Sequence, residues 1–255
     1  MKRWNVKALA LAALVAAVTL SGCDAQGDGS TDSGFDDSDD SGLFPNDGTT
    51  PTTIAENGTA ITGNFICEAG IQALTTGATT EVATGGLVGG PLTTLLNSLG
   101  GETLTALLNS VSNKDLVIDN KLSTFATYSL TLGLLGIIDS VDLLVHANQT
   151  VSAGHYAVFA VRFPAAVLEA SLLNQVAVRT FLGDTQQEEI LVDESALDLL
   201  GQNLVGEDRL FVGVKTTKDF DTASIALTPN VLSANVGEAM YVHELCTGGH
   251  FVTAP

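Results

Sequence analysis

The chain has 255 residues, with 29 acidic and 10 basic side chains and a formal charge of −19. A surface this negative does not complement phosphate, so nucleic acid and anionic lipid headgroups are poor partners. Aromatic residues make up 5% of the chain and its one Trp is Trp4, which leaves little material for a sugar site built on stacked rings.

The first seven residues hold Lys2, Arg3 and Lys7 and no acid, and residues 8–20 are apolar or small apart from one Thr. A run of that length suits the core of a signal peptide and is too short for a membrane-crossing helix, which takes about 20 residues. The junction Leu20-Ser21-Gly22-Cys23 resembles the bacterial lipobox, an aliphatic residue and two small ones before a cysteine. The resemblance implies a bacterial lipoprotein. Residues 1–22 are then a signal peptide that is removed, and Cys23 becomes the first residue and the lipidation site, carrying acyl chains such as palmitate. Each buried CH₂ contributes about 0.8 kcal/mol, so several chains on one cysteine hold a soluble domain firmly. The membrane is then a partner through that anchor, and the compartment is the cell envelope, periplasmic or surface-facing. Asp24 resembles an inner-membrane retention signal of enteric bacteria, a signal that other lineages place elsewhere.

From Asp24 to Ala60 there are nine acids and no Lys or Arg, among many Gly, Ser and Thr. Such a segment buries too little to offset its ordering entropy, so residues 23–60 are expected to form an acylated, disordered acidic tether. Like charges along it favour extension. The stretch DGSTDSGFDDSDDSG lacks the ligand spacing and closing Glu of an EF-hand, which leaves at most weak, non-specific cation binding.

Residues 61–255 are enough for one core and are expected to form a single domain. With Cys23 committed to lipid, Cys67 and Cys246 remain as an even pair in an oxidising compartment. A disulfide between them is predicted, with two free thiols as the alternative. Closing so long a loop is worth roughly 5 kcal/mol in the chain-entropy description.

Thr75–Gly90 is rich in Gly, Thr and Ala and poorly determined. PLTTLLNSL and ETLTALLNSV then place leucines at helical spacing on either side of Gly100-Gly101, which predicts one or two short helices near residues 92–112. From Thr124 the pattern alternates with period two: SVDLLVHA, HYAVFAVRF, QVAVRTFLG, RLFVGVKTT, TASIAL and AMYVHELC. Short strands at this spacing predict an all-β fold, an antiparallel β-sandwich of about 7–9 strands. AAVLEASLLNQ (165–175) reads as a short helical or irregular crossover.

Candidate chemistry is thin. His243-Glu244-Leu245-Cys246-Thr247 has the outline of H-E-x-x-H, but Thr247 stands where the second ligand belongs. A zinc site from His243, Cys246 and His250 competes with the disulfide for Cys246. In a regular strand, residues three apart also face opposite ways. Glu188-Glu189 and Asp193-Glu194 fall in a polar stretch that reads as a solvated hairpin or loop. There is no G-x-S-x-G elbow, and GGLVGG lacks the Lys-Ser/Thr of a phosphate loop. No catalytic residue, metal ligand or cofactor is expected.

Three stretches, LVIDNKLSTFATYSL (116–130), QVAVRTFLGDTQQEE (175–189) and RLFVGVKTTKDFDTASIAL (209–227), precede a closing YVHELC (241–246). Together they resemble a loosely defined group of bacterial cell-surface β-sandwich modules. The first is also similar to the opening of discoidin-like, galactose-binding-type sandwiches. The likeness implies a sandwich in which Asp119, Ser123 and Thr124 shape a turn before a strand and Phe220-Asp221 a strand-entry corner. The resulting expectation is a lipid-anchored, non-catalytic envelope or cell-surface protein with a binding, adhesion or scaffolding role toward an envelope or surface ligand. The alternatives are an envelope hydrolase with unplaced carboxylates and a carrier of apolar molecules.

Overall fold

A computed structural model of the chain describes residues 43–44, 52–57, 59–61, 64–68, 76–131, 134, 137–164, 176–192, 209–228 and 237–252. The signal segment, Cys23, most of the acidic stretch, the 165–175 crossover and Asp193-Glu194 lie outside the described residues.

Four strands come first: β1 (Leu43–Phe44), β2 (Thr52–Glu56), β3 (Thr59–Ile61) and β4 (Asn64–Glu68). After β5 (Thr79–Ala83) come two helices, α1 (Gly89–Ser98) and α2 (Gly101–Leu108), in the region where the leucine spacing predicts them. Leu92 of α1 and Leu107 of α2 are their buried residues. Then follow β6 (Val111–Ser112), a 3₁₀ turn over Lys114–Ile118, β7 (Ala126–Leu130), β8 (Val141–Val151) and β9 (Tyr156–Arg162). The chain closes with β10 (Val176–Leu182), β11 (Thr185–Leu191), β12 (Leu210–Lys215), β13 (Phe220–Leu227), β14 (Gly237–Cys246) and β15 (Gly249–Val252).

These strands build a β-sandwich. One sheet has the order β11-β10-β13-β8-β5 and the other β3-β2-β12-β9-β14-β7-β6. Alternation decides which side chains meet between them. Val141, Leu143 and Val145 of β8 and Val176 and Val178 of β10 face Ala157, Phe159 and Val161 of β9 and Met240, Val242 and Leu245 of β14 in one buried core. Gly213 lets β12 lie close on β9, because a Cβ there would stand 2.1 Å from the carbonyl oxygen of Ala157.

Both outer faces are partly covered. On the five-stranded sheet, Leu92 and Val88 pack over Leu144 and Phe181. On the seven-stranded sheet lies a third small sheet, β1-β4-β15, which puts Phe65 and Cys67 on Tyr156, Val158, Ala160 and Phe211. The period-two pattern predicts two layers; this third one is short and its strands are far apart in sequence.

The structured region starts earlier than residue 61. Thr52 pairs with Phe211 in a parallel β2–β12 ladder, β3 pairs back on β2, and Ile54 is fully buried. Averaging charge over residues 23–60 hides this local TTIA run, which suits a strand. It also adds one parallel pair to a sandwich whose other described strand pairs are antiparallel.

Candidate functional site

Cys67 and Cys246 are bonded, with their Cα atoms 5.6 Å apart. The cause is a tight connection: β14 ends at Cys246, the chain turns over Thr247-Gly248, and β15 pairs with β4 so that Gly249 faces Cys67. With its sulfur in the disulfide, Cys246 is not a zinc ligand, and the pair His243 and His250 is separated by function as well. His250 Nδ1 donates to Glu68 Oε1 at 2.6 Å, whereas His243 Nδ1 donates to the Leu122 carbonyl at 2.7 Å. Among the described residues no group of three or more His, Cys, Asp or Glu gathers as a metal set.

A bulge explains the behaviour of His243. The β14–β9 register slips between Val242, which faces Val161, and Glu244, which faces Ala160. His243 is the extra residue, so the regular pleat no longer sends His243 and Cys246 to opposite faces. Both side chains sit on the outer side of the seven-stranded sheet, His243 against Leu122 and Phe125 and Cys246 against the β4 strand through Cys67. Burial, with Arg209 next, holds the His243 ring at about 4, so it is neutral at pH 7. Glu244 is 3% exposed. Burial first, and the Asp119 charge second, push its carboxyl up to about 9.

The 119–125 loop is shaped by Asp119, which accepts the Lys121 amide at 3.0 Å and the Thr124 hydroxyl at 2.9 Å, the turn that the sequence pattern implies. Asn120 takes a left-handed φ of 65°, and its amide donates to Glu244 Oε2 at 3.1 Å. The coupling of Glu244 to the 119–121 loop was not legible in sequence, because it joins residues 124 positions apart.

The other titratable candidates are tied into the fold. His155 Nδ1 donates to Ser152 O at 2.9 Å. Glu188 accepts the Thr217 amide at 3.1 Å and its hydroxyl at 2.8 Å. Glu189 pairs with Arg179 at 2.7 Å, and the pair lies in the β10–β11 hairpin, as the polar stretch predicts. Arg179 also lies 3.9 Å from Asp142. Asp142 is fully buried and raised above the usual carboxylate range, by burial first.

One cleft of about 410 Å³ opens on the outer side of the five-stranded sheet, lined by Val88 and Gly89 before α1, His146 to Thr150 of β8, Gly183 and Asp184 of the hairpin turn, and Asp221 and Thr222 of β13. His146 Nε2 donates to Glu81 at 3.2 Å, and its Nδ1 lies 3.0 Å from the Thr222 hydroxyl. Asp184 accepts the Gly90 amide at 3.3 Å and Asp221 the Gly183 amide at 2.9 Å. A Cβ on Gly89 would stand 1.8 Å from Asp184 Oδ1, so glycine keeps this wall open. The walls mix polar and apolar surface, and the Asp184 and Asp221 carboxylates are each oriented by a backbone amide.

The fold and this geometry define a disulfide-closed β-sandwich with an open cleft on the outer side of its five-stranded sheet. No protein family's model matches the chain, and no curated protein matches it. Among solved structures it is similar to the family 32 CBM from C. perfringens NanJ in complex with galactose, at 10% identity and a TM-score of 0.33, over 68% of this chain and 94% of that one. It is also similar to CBM32-3 from a family 31 glycoside hydrolase of Clostridium perfringens, at 12% identity and a TM-score of 0.29, over 52% of this chain and 79% of that one.

Proposed function

We propose that this chain is a lipid-anchored envelope protein, held on a membrane through Cys23, whose β-sandwich is a non-catalytic binding or scaffolding module. The observation that carries the non-catalytic reading is the engagement of its acids and histidines. Glu188, Glu189, His155, His243 and His250 each hold a neighbouring strand or loop. A general base needs a free, poised lone pair near a reacting atom; Glu188 and Glu189 spend theirs on Thr217 and Arg179, the histidine rings are fixed through Nδ1–H, and the Nε2 of His243 is buried. The export reading draws support from the Cys67–Cys246 bond, since disulfides persist in oxidising compartments. The cleft beside His146 offers hydrogen-bonding walls to an envelope or surface ligand.

The test is capture of immobilised envelope polymers by the purified chain, alongside Gln149→Trp. Gln149 is exposed and lines the cleft, so a bulky ring there fills the opening without entering the core. Capture by the parent chain and its loss in the variant support the reading. Release of cleaved product from any captured polymer would overturn the non-catalytic assignment, and equal capture by both chains would remove the cleft from it.

A further inference from the structure

Seven Lys and Arg residues lie beyond the signal segment, and most have a described partner. Lys114 meets Asp115, Arg179 meets Glu189 and Lys215 meets Glu56, while Lys218 donates to the Gln187 carbonyl. Lys121 has no described ion pair but is exposed, whereas Arg162 and Arg209 are partly buried. Neither forms an ion pair among the described residues, in a chain that carries 29 acids.

They are also placed against each other. Val161 faces Leu210 in the antiparallel β9–β12 ladder, so one step further the register sets Arg162 opposite Arg209. Like charges directly opposite on a sheet are destabilising. On its other side Arg162 faces Tyr241 of β14. One row across three strands therefore reads Arg209, Arg162, Tyr241.

The row is bordered by rings. The Arg162 guanidinium carbon lies 4.9 Å from the Tyr241 ring centre and 5.4 Å from that of Phe125. Those two rings are 4.7 Å apart and tilted by 53°. His243, 5.3 Å from Phe125, is 2% exposed. Its Nε2 and the Nε of Arg162 are both buried without a hydrogen-bond partner. Arg162, Arg209, Phe125 and Tyr241 all remain partly exposed. The neutral His243 ring donates through Nδ1, so its Nε2 bears a lone pair and the unspent donor is Arg162 Nε; two cations held together with such a donor are what an anion's oxygens complete.

We propose that Arg162, Arg209, Tyr241 and Phe125 form a binding site for an organic oxyanion, a carboxylate or phosphate carried on a flat apolar body. Guanidinium forks match both groups with paired hydrogen bonds. Rings that already hold Arg162 by its cation–π contacts offer an apolar edge to the body of the ligand. The site lies on the seven-stranded sheet, whereas the His146 cleft opens on the five-stranded one, so the proposal stands apart from the reading of that cleft.

Calorimetric titration of the purified chain with benzoate, phenyl phosphate and neutral benzyl alcohol tests it. The expected result is saturable binding of benzoate or phenyl phosphate, the tighter one naming the anionic group, with benzyl alcohol weaker by about tenfold or more, the scale of a lost charge-assisted contact. Arg162→Met and Arg209→Met should each weaken the anion by a similar factor. In anion-free buffer Arg209→Met should melt above the parent chain, because it removes the opposed charge; a pair kept for structure would melt below it. No saturable anion binding, equal binding of the neutral alcohol, unchanged affinity in both variants, or a lowered melting temperature for Arg209→Met would overturn the proposal.

Discussion

The phenol of Tyr128 donates a 2.7 Å hydrogen bond to the carbonyl of Ile225. Tyr128 belongs to β7 and Ile225 to β13, so this bond runs from one sheet of the sandwich to the other through the apolar core. Both residues are fully buried, and burial holds the phenol well above the ordinary tyrosine range. Two apolar faces can slide; a single directional bond between them fixes their register.

Tyr128→Phe keeps the ring and removes the donor, leaving a buried carbonyl short of a partner. The expected cost is about 1–2 kcal/mol, a fall in melting temperature of roughly 2–8 °C for a domain of this size. Thermal melts followed by circular dichroism check it. A variant that melts with the parent chain would show that packing alone sets the register.

The Cys67–Cys246 bond joins residues 179 positions apart. Reduction, or replacing both residues by Ala, should lower stability by about 2–5 kcal/mol. It should not abolish folding, since the main core lies between the sheets and the bond lies on an outer face. Denaturant titration with and without reductant measures the difference. Loss of the cooperative transition on reduction would mean that the β4–β15 layer is required for the sandwich to form.

Much of this fold was legible in the sequence because strands advertise themselves by alternation. Ala157, Phe159 and Val161 line up in HYAVFAVRF, and they are the inward face of β9. The even pair of cysteines likewise pointed to the disulfide. What stayed hidden is non-local. Nothing in Thr52–Glu56 says that it runs parallel to β12, and a single residue inserted at His243 reverses the facing that a regular strand would give to Cys246. The pairing of Arg162 with Arg209 needs the register of β9 on β12, which no spacing in the chain displays.

The anchor reading rests on Leu20-Ser21-Gly22-Cys23 after an apolar run. Cys23→Ser should release the chain from membranes or stall its processing, and metabolic labelling with a fatty acid should mark the parent chain alone. Fractionation in high salt, with mass measurement of the new N-terminus, makes the check. A Cys23→Ser chain that is still cut after Gly22 and still sediments with membranes would defeat the lipid assignment.

The buried pair His243 and Glu244 sets a pH dependence whose sign can be worked out. His243 stands at about 4 folded against 6.5 free. Between those values the unfolded chain binds more protons, so stability rises with pH. Glu244 stands at about 9 folded against 4.5 free. Between those values the folded chain binds more protons, so stability falls as pH rises. From pH 4.5 to 6.5 the two oppose each other; above 6.5 Glu244 acts alone. Stability should therefore decline from pH 6.5 to 9, at no more than about 1.4 kcal/mol per pH unit for one proton. Glu244→Gln retains an oxygen to accept the Asn120 amide and carries no charge, so its profile should be flat over that window and lie above the parent chain at the alkaline end. A parent profile already flat from 6.5 to 9, or an unchanged slope in the Gln variant, would show that the Glu244 carboxyl ionises freely beneath its loop.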